Sequence, residues 1–274
     1  MFVTGCQDSS LIVACAAMQA TTAYINSVPS DAPEVMMLKP TLTPILQLMH
    51  RCLETDDEIV KEGLAVFSEC LIMSQPLIND HIEPLIQFIT NVMQSQNENV
   101  EIHVKVAASQ ALCEVMQYRP KLVAKKQLVA PTLQALANII AQGDSAAGSL
   151  FSLNEDGKLK DEDDDDDEED ENLQQVAQSC VDTMALHIPS KYFVEPALQV
   201  SSQGMQSPVP AMRKAGCAIL GIIAEGCCDA IRQLLPSLMP HLLAAAVDQD
   251  ATVKETAYFT LGMSILCRRA TFCL

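Results

Sequence analysis

Ile59-Val60-Lys61-Glu62-Gly63-Leu64-Ala65-Val66-Phe67 sets an aliphatic residue, a glycine and an aromatic ring at steps of four. Four residues make slightly more than one helical turn, so Ile59, Gly63 and Phe67 share one face of a helix. The glycine in the middle of that face lets a neighbouring helix come close. The pattern returns as Val104-Ala108-Leu112, Val176-Cys180-Met184, Met212-Gly216-Leu220 and Val253-Ala257-Leu261. Ile12-Ala16-Ala20 is a weaker first copy. Successive anchors are 47, 45, 72, 36 and 41 residues apart. Four of the five intervals suit a repeating unit of two antiparallel helices, three of them within roughly 40–47 residues and one slightly shorter.

Each anchor helix follows a first helix with proline in or near it: Pro40 and Pro44, Pro84, Pro131, Pro196, then Pro236 and Pro240. Proline is tolerated in the first turn, and further inside it predicts a kink. Short polar turns separate the two helices, among them Glu54-Thr55-Asp56-Asp57, Gln206-Ser207 and Asp248-Gln249-Asp250. Asp and Ser suit helix N-caps. The pattern predicts an all-α fold, an α-α superhelix of HEAT-repeat type. One unpaired second helix (8–27) precedes five pairs at 32–75, 76–118, 121–187, 190–226 and 228–268. The whole of 1–274 is read as a single solenoid segment. Neither end reads as a polar capping repeat, so the segment is expected to belong to a longer stack.

Composition agrees. The chain has no Trp, 4 Tyr, 7 Phe and 10 Gly, with 49% hydrophobic residues drawn mainly from Leu, Ala, Val, Ile, Met and Cys. Strand-rich folds draw on aromatic and β-branched residues and need more glycine turns.

The net charge of −18 is concentrated. Residues 155–171 hold 13 carboxylates and 2 lysines, which leaves −7 for the other 257 residues. This run falls inside the 72-residue interval, so insertion and charge run are one object. Asp161, Glu162, Asp163, Asp164, Asp165, Asp166, Asp167, Glu168, Glu169, Asp170 and Glu171 are consecutive carboxylates that repel one another and have nothing apolar to bury. With glycines at 143, 148 and 157, the insertion at about 143–170 is expected to be a disordered loop. Its reach would be roughly 30 Å. A bland reading makes it a solubilising loop. The functional reading makes it a contact for Lys/Arg-rich proteins, since a flexible acidic segment speeds their association. The same charge argues against direct nucleic-acid binding, and the run lacks the spaced ligands of a calcium loop.

Other functions are disfavoured. No G-x-S-x-G, phosphate-cradling glycine loop or H-E-x-x-H is present, so no enzyme, cofactor or metal is expected. The eleven cysteines include no C-x-x-C pair, and Cys15, Cys70, Cys113, Cys180 and Cys217 read as reduced, buried thiols of an intracellular protein. The longest apolar stretch, Leu11 to Tyr24, is short for a membrane span and broken by Gln19, Thr21 and Thr22.

Val181-Asp182-Thr183-Met184-Ala185-Leu186-His187-Ile188-Pro189, Met212-Arg213-Lys214-Ala215-Gly216, Asp229-Ala230-Ile231-Arg232-Gln233-Leu234-Leu235-Pro236 and Ala257-Tyr258-Phe259-Thr260-Leu261-Gly262 resemble the importin-beta (karyopherin-beta) superfamily. The resemblance covers most of the chain and is strongest from about 171 to 262. It implies a fragment of the central HEAT repeats of a nuclear import receptor that shuttles between cytoplasm and nucleus. Such receptors bind basic cargo, histones and ribosomal proteins among them, contact Phe-Gly nucleoporins, and release cargo to Ran-GTP. Asp161 to Glu171 match the acidic loop that contacts Ran or cargo in several members. The family pattern fades after Met263. A different HEAT scaffold, or an acidic histone-chaperone-like protein, is the alternative reading.

Overall fold

The computed structural model describes residues 1–142 and 173–269, and helix is the only regular structure among the described residues. The chain forms two compact units, Met1–Leu128 and Val129–Leu274. The first contains α1 (Phe2–Cys6), α2 (Leu11–Ser27), a 3-10 turn (Pro33–Leu38), α3 (Lys39–Cys52), α4 (Asp57–Ile72), α5 (Ile82–Gln94), α6 (Ile102–Tyr118) and α7 (Pro120–Lys125). The second contains α8 (Val129–Gln142), α9 (Leu173–His187), α10 (Ser190–Met205), α11 (Pro210–Gly226), α12 (Cys228–Ala245) and α13 (Ala251–Arg269). The expected leading helix and five pairs are α2, then α3–α4, α5–α6, α8–α9, α10–α11 and α12–α13. The two short helices α1 and α7 and the 3-10 turn carry too few residues for a periodic signal.

Helix starts follow the turn chemistry. Asp56 caps α4, its carboxylate accepting from Ile59 N at 3.2 Å. Asp250 caps α13, accepting from Thr252 N at 2.9 Å and Val253 N at 3.3 Å. Pro40, Pro120 and Pro210 sit in first turns, where no N–H is needed. Pro44, Pro196, Pro236 and Pro240 lie inside first helices.

The anchor residues are the buried seam. Ile59, Gly63 and Phe67 are all buried, as are Val104, Ala108 and Leu112. Cys180, Met184, Gly216, Leu220, Val253 and Ala257 are buried as well. Fully burying a side chain the size of Phe67, Phe88 or Phe193 contributes about 1.5–3 kcal/mol. The first copy is the exception: Ile12 is 83% exposed, and α2 instead buries Ala14, Met18, Thr21 and Ile25. α2 is apolar or small nearly all round, so a step of four fits two faces. The bulk of Met18 and Ile25 decides which one turns inward.

Within each unit the second helices lie side by side. α2 packs on α4 and α4 on α6; in the other unit α9 packs on α11 and α11 on α13. α11 is the most enclosed, buried continuously over 214–224 and touching α8, α9, α10, α12 and α13. Two glycines permit this. A Cβ on Gly216 would stand 2.6 Å from both Met205 N and Ser201 O, and one on Gly204 2.9 Å from the Gly216 Cα. The Ser201 hydroxyl donates to the Gly216 carbonyl at 2.7 Å, and Thr260 donates to the Cys217 carbonyl at 2.8 Å. At Gly63, by contrast, the nearest atoms are the flexible end of Met49.

Among the described residues eight cysteines are reduced thiols, with Cys70, Cys180 and Cys217 buried and Cys15 and Cys113 half-buried. Burial pushes the Cys70 and Cys217 thiols up to about 12, as inert packing residues.

The glycine geometry separates two substitutions. Gly216→Ala forces backbone against backbone and is expected to destabilise the fold by about 2 kcal/mol or more, while Gly63→Ala stays within about 1 kcal/mol because Met49 can swing aside. Urea unfolding midpoints of the two variants measure this. Equal midpoints would refute the close-contact account.

Candidate protein-binding surface

The described part of the charge asymmetry sits in the first unit. Residues 1–128 carry 14 carboxylates against 8 lysines and arginines, a net of −6. Seven of these carboxylates lie in or next to α4 and α6: Asp56, Asp57, Glu58, Glu62, Glu69, Glu101 and Glu114. In the second unit the described residues hold seven of each sign.

Polar contacts tie the three second helices of the first unit together. Gln19 on α2 donates to Glu62 on α4 at 2.9 Å. His103 on α6 lies 3.3 Å from Asp57 on α4 and 3.1 Å from Glu101. Glu58 and Lys61 pair at 3.3 Å along α4. The Glu58 and Glu101 side chains remain 64% and 62% exposed, open to a partner. Lys105 is turned away, its ammonium donating to the Ser95 carbonyl at 2.8 Å.

Cys15 on α2 registers the resulting field. Its thiol is raised from the usual value first by desolvation and then by the negative charges of Glu62, Glu58 and Asp56. A half-buried thiol on one helix thus senses three carboxylates of the next. Asp57, Glu101 and His103 also bring donor atoms within 4.8 Å of one another, a spacing that a metal ion could use. Both imidazole nitrogens already face carboxylates there, which accounts for the cluster as a polar bridge between α4 and α6.

In the second unit the strongest charged contact is a lock between turns. Arg213 Nε and Nη2 donate to the two Asp248 oxygens at 2.7 and 2.9 Å. Arg213 Nη1 donates to the Ser207 and Pro208 carbonyls, each at 3.1 Å. The Arg213 hydrogen bonds hold the Asp248 carboxyl down at about 2. Arg213 therefore fixes the start of α11 to the turn before α13.

Asp161 to Glu171, the residues singled out from the sequence, lie outside the described residues, as does the expected disordered insertion at 143–170. The acidic surface over α4 and α6 was not singled out. Its carboxylates are scattered among apolar residues, and only the packing of α2, α4 and α6 gathers them.

No protein-family model matches the chain. Human importin-4 is 26% identical over 233 residues, which is 85% of this chain and 21% of that protein. Importin subunit beta-3 of Saccharomyces cerevisiae is 25% identical over 272 residues, 96% of this chain and 23% of that protein. Crystal structures of Kap121p bound to Pho4p and to RanGTP superpose with TM-scores of 0.78 and 0.77 at 23% identity, each over 96% of this chain and 25% of that one. The chain is similar to proteins of the importin-beta superfamily over most of its length. It spans about a fifth of the length of its curated importin relatives, and its fold is that of their HEAT repeats. No described helix is long and apolar enough to cross a membrane.

The field at Cys15 is open to direct measurement. Glu62→Gln keeps the hydrogen bond from Gln19 available and removes a charge, so the Cys15 thiol should ionise more readily. Alkylation at the Cys15 peptide is expected to run faster in the variant at pH 8, with the difference shrinking in roughly 1 M salt. Identical rates would rule out an electrostatic contribution from Glu62.

Proposed function

We propose that this chain is a cargo-binding segment of a nuclear import receptor, with residues 1–274 acting as one HEAT-repeat segment. It takes basic proteins, histones or ribosomal proteins among them, and works with Ran-GTP and Phe-Gly nucleoporins while moving between cytoplasm and nucleus. It is a binding protein, and no catalytic step is assigned to it.

The observation that carries this reading is the placement of charge. Residues 143–172 hold 14 carboxylates and 2 lysines, and the second helices of the first unit add exposed acids beside them in sequence. Such fields raise the on-rate of Lys/Arg-rich partners and select against acidic ones. The family lends support: Kap121p has been crystallised with Pho4p, with RanGTP and with Nup53p. In our reading Asp161, Glu162, Asp163, Asp164, Asp165, Asp166, Asp167, Glu168, Glu169, Asp170 and Glu171 make the first electrostatic contact with cargo or Ran. Glu58, Glu62 and Glu69 give the first unit an acidic surface of its own along α4.

Fluorescence anisotropy with a labelled Lys/Arg-rich peptide tests the division of labour. Deleting residues 155–171 is expected to weaken binding about tenfold at low salt and to leave a residual affinity. Glu58→Lys, Glu62→Lys and Glu69→Lys together should then remove that residue of binding. Complete loss on the deletion alone would favour an acidic chaperone-like protein, and no binding by the intact chain would overturn the import reading.

A further inference from the structure

The whole chain contains two hydroxyl residues followed by proline, Thr43-Pro44 and Ser207-Pro208. The fold treats them in opposite ways. Thr43 and Pro44 lie inside α3, with Pro44 buried and the Thr43 hydroxyl 2.9 Å from His81 Nε2. Ser207-Pro208-Val209-Pro210 forms the turn between α10 and α11, with Pro208, Val209 and Pro210 exposed. Val209 is extended, at φ −88 and ψ 120, and a residue before proline is driven to extended backbone as well. The Ser207 hydroxyl oxygen has one modest contact, accepting from Val209 N at 3.2 Å. A half-buried Ser207 followed by an exposed Pro208 in a turn is open to a proline-directed kinase; a Thr-Pro wound into a helix is not.

The neighbourhood offers a phosphate one cation, Arg213, which the carboxylate of Asp248 now holds. Arg213 Nη1 already donates to the carbonyl of Ser207 itself, at 3.1 Å. Its other two nitrogens hold Asp248, and Asp250 stands on the same turn as Asp248. A phosphoserine brings about −1.5 to −2 charges and three strong acceptor oxygens, and a guanidinium binds it bidentately. We propose that Ser207 is a phosphorylation site for a proline-directed serine/threonine kinase, and that its phosphate draws Arg213 away from Asp248.

In the transfer, the Ser207 oxygen forms a bond to the γ-phosphorus of ATP. The bond from that phosphorus to the β–γ bridging oxygen breaks, its electron pair leaves on ADP, and the serine proton passes to the kinase base. The consequence is local. Arg213 ties the start of α11 to the turn before α13, and α11 is the helix that the second unit packs around. Moving the guanidinium onto the phosphate releases the turn and leaves Asp248 without its cation. The site thus couples a modification in one repeat to the next, independently of which cargo the chain binds.

The test is to incubate the folded, full-length chain with a purified proline-directed kinase and ATP, then map phosphate by peptide mass spectrometry. Close to one phosphate per chain is expected at Ser207, none at Thr43, and none anywhere in Ser207→Ala. No incorporation into the folded chain, or labelling at Thr43 in place of Ser207, overturns the site. In the phosphorylated protein the Asp248 carboxyl should titrate above the value of about 2 that Arg213 imposes. An unchanged titration overturns the proposed movement of Arg213.

Discussion

Direct backbone contact between α10 and α11 is the constraint on which the second unit rests. Two glycines, Gly204 and Gly216, meet where side chains would otherwise hold the helices apart, and Ser201 seals the contact with a hydrogen bond to the Gly216 carbonyl. α11 is then close enough to its own first helix to be enclosed by the neighbouring pairs as well. Its buried face can be made from Ala215, Cys217, Ala218, Ile219 and Leu220 with no large aromatic residue. Interiors packed this tightly transmit strain and do not absorb it. A stack of such pairs holds its second helices in fixed lateral order, and that order decides which surface side chains become neighbours.

The proposed binding surface depends on the same kind of lateral order among α2, α4 and α6 of the first unit. A single carboxylate on a helix surface does little, since exposed pairs are worth well under 1 kcal/mol in most contexts. Several carboxylates on adjacent parallel helices add their fields. The thiol of Cys15 is raised first by burial and then by three acids in or beside the next helix, and so registers part of that sum. The described residues of the second unit balance their charges, and its strongest described ion pair, Arg213 with Asp248, joins one repeat to the next. The two units therefore differ in electrostatics while sharing one repeat architecture.

Much of the architecture was legible in the sequence because the repeating seam is made by residue size. Ile59, Gly63 and Phe67 announce a face that only one packing satisfies, and the same holds for Val253 and Ala257. α2 shows the limit. Its run of alanines and small residues fits a step of four on two faces, and the one that is buried carries Met18 and Ile25. α1 and α7 are too short for periodicity to appear. The acidic run was legible as composition, since eleven consecutive carboxylates need no tertiary context. The acids of α4 and α6 were not, because their proximity depends on helices 45 residues apart in the anchor pattern. The Arg213–Asp248 lock was hidden for the same reason: its partners are 35 residues apart and meet only across two turns.

Zero-length carbodiimide coupling between the full chain and a lysine-rich peptide, read by mass spectrometry, tests the central claim most directly. It joins an amine to whichever carboxylate it touches. The account predicts adducts at Glu58 and Glu62 and within Asp161–Glu171, and none at Asp80, Glu83 or Asp229, which are well exposed on or beside first helices. Adducts spread evenly over both groups would mean that the acids act only as a diffuse charge, and would contradict a binding surface made by the second helices.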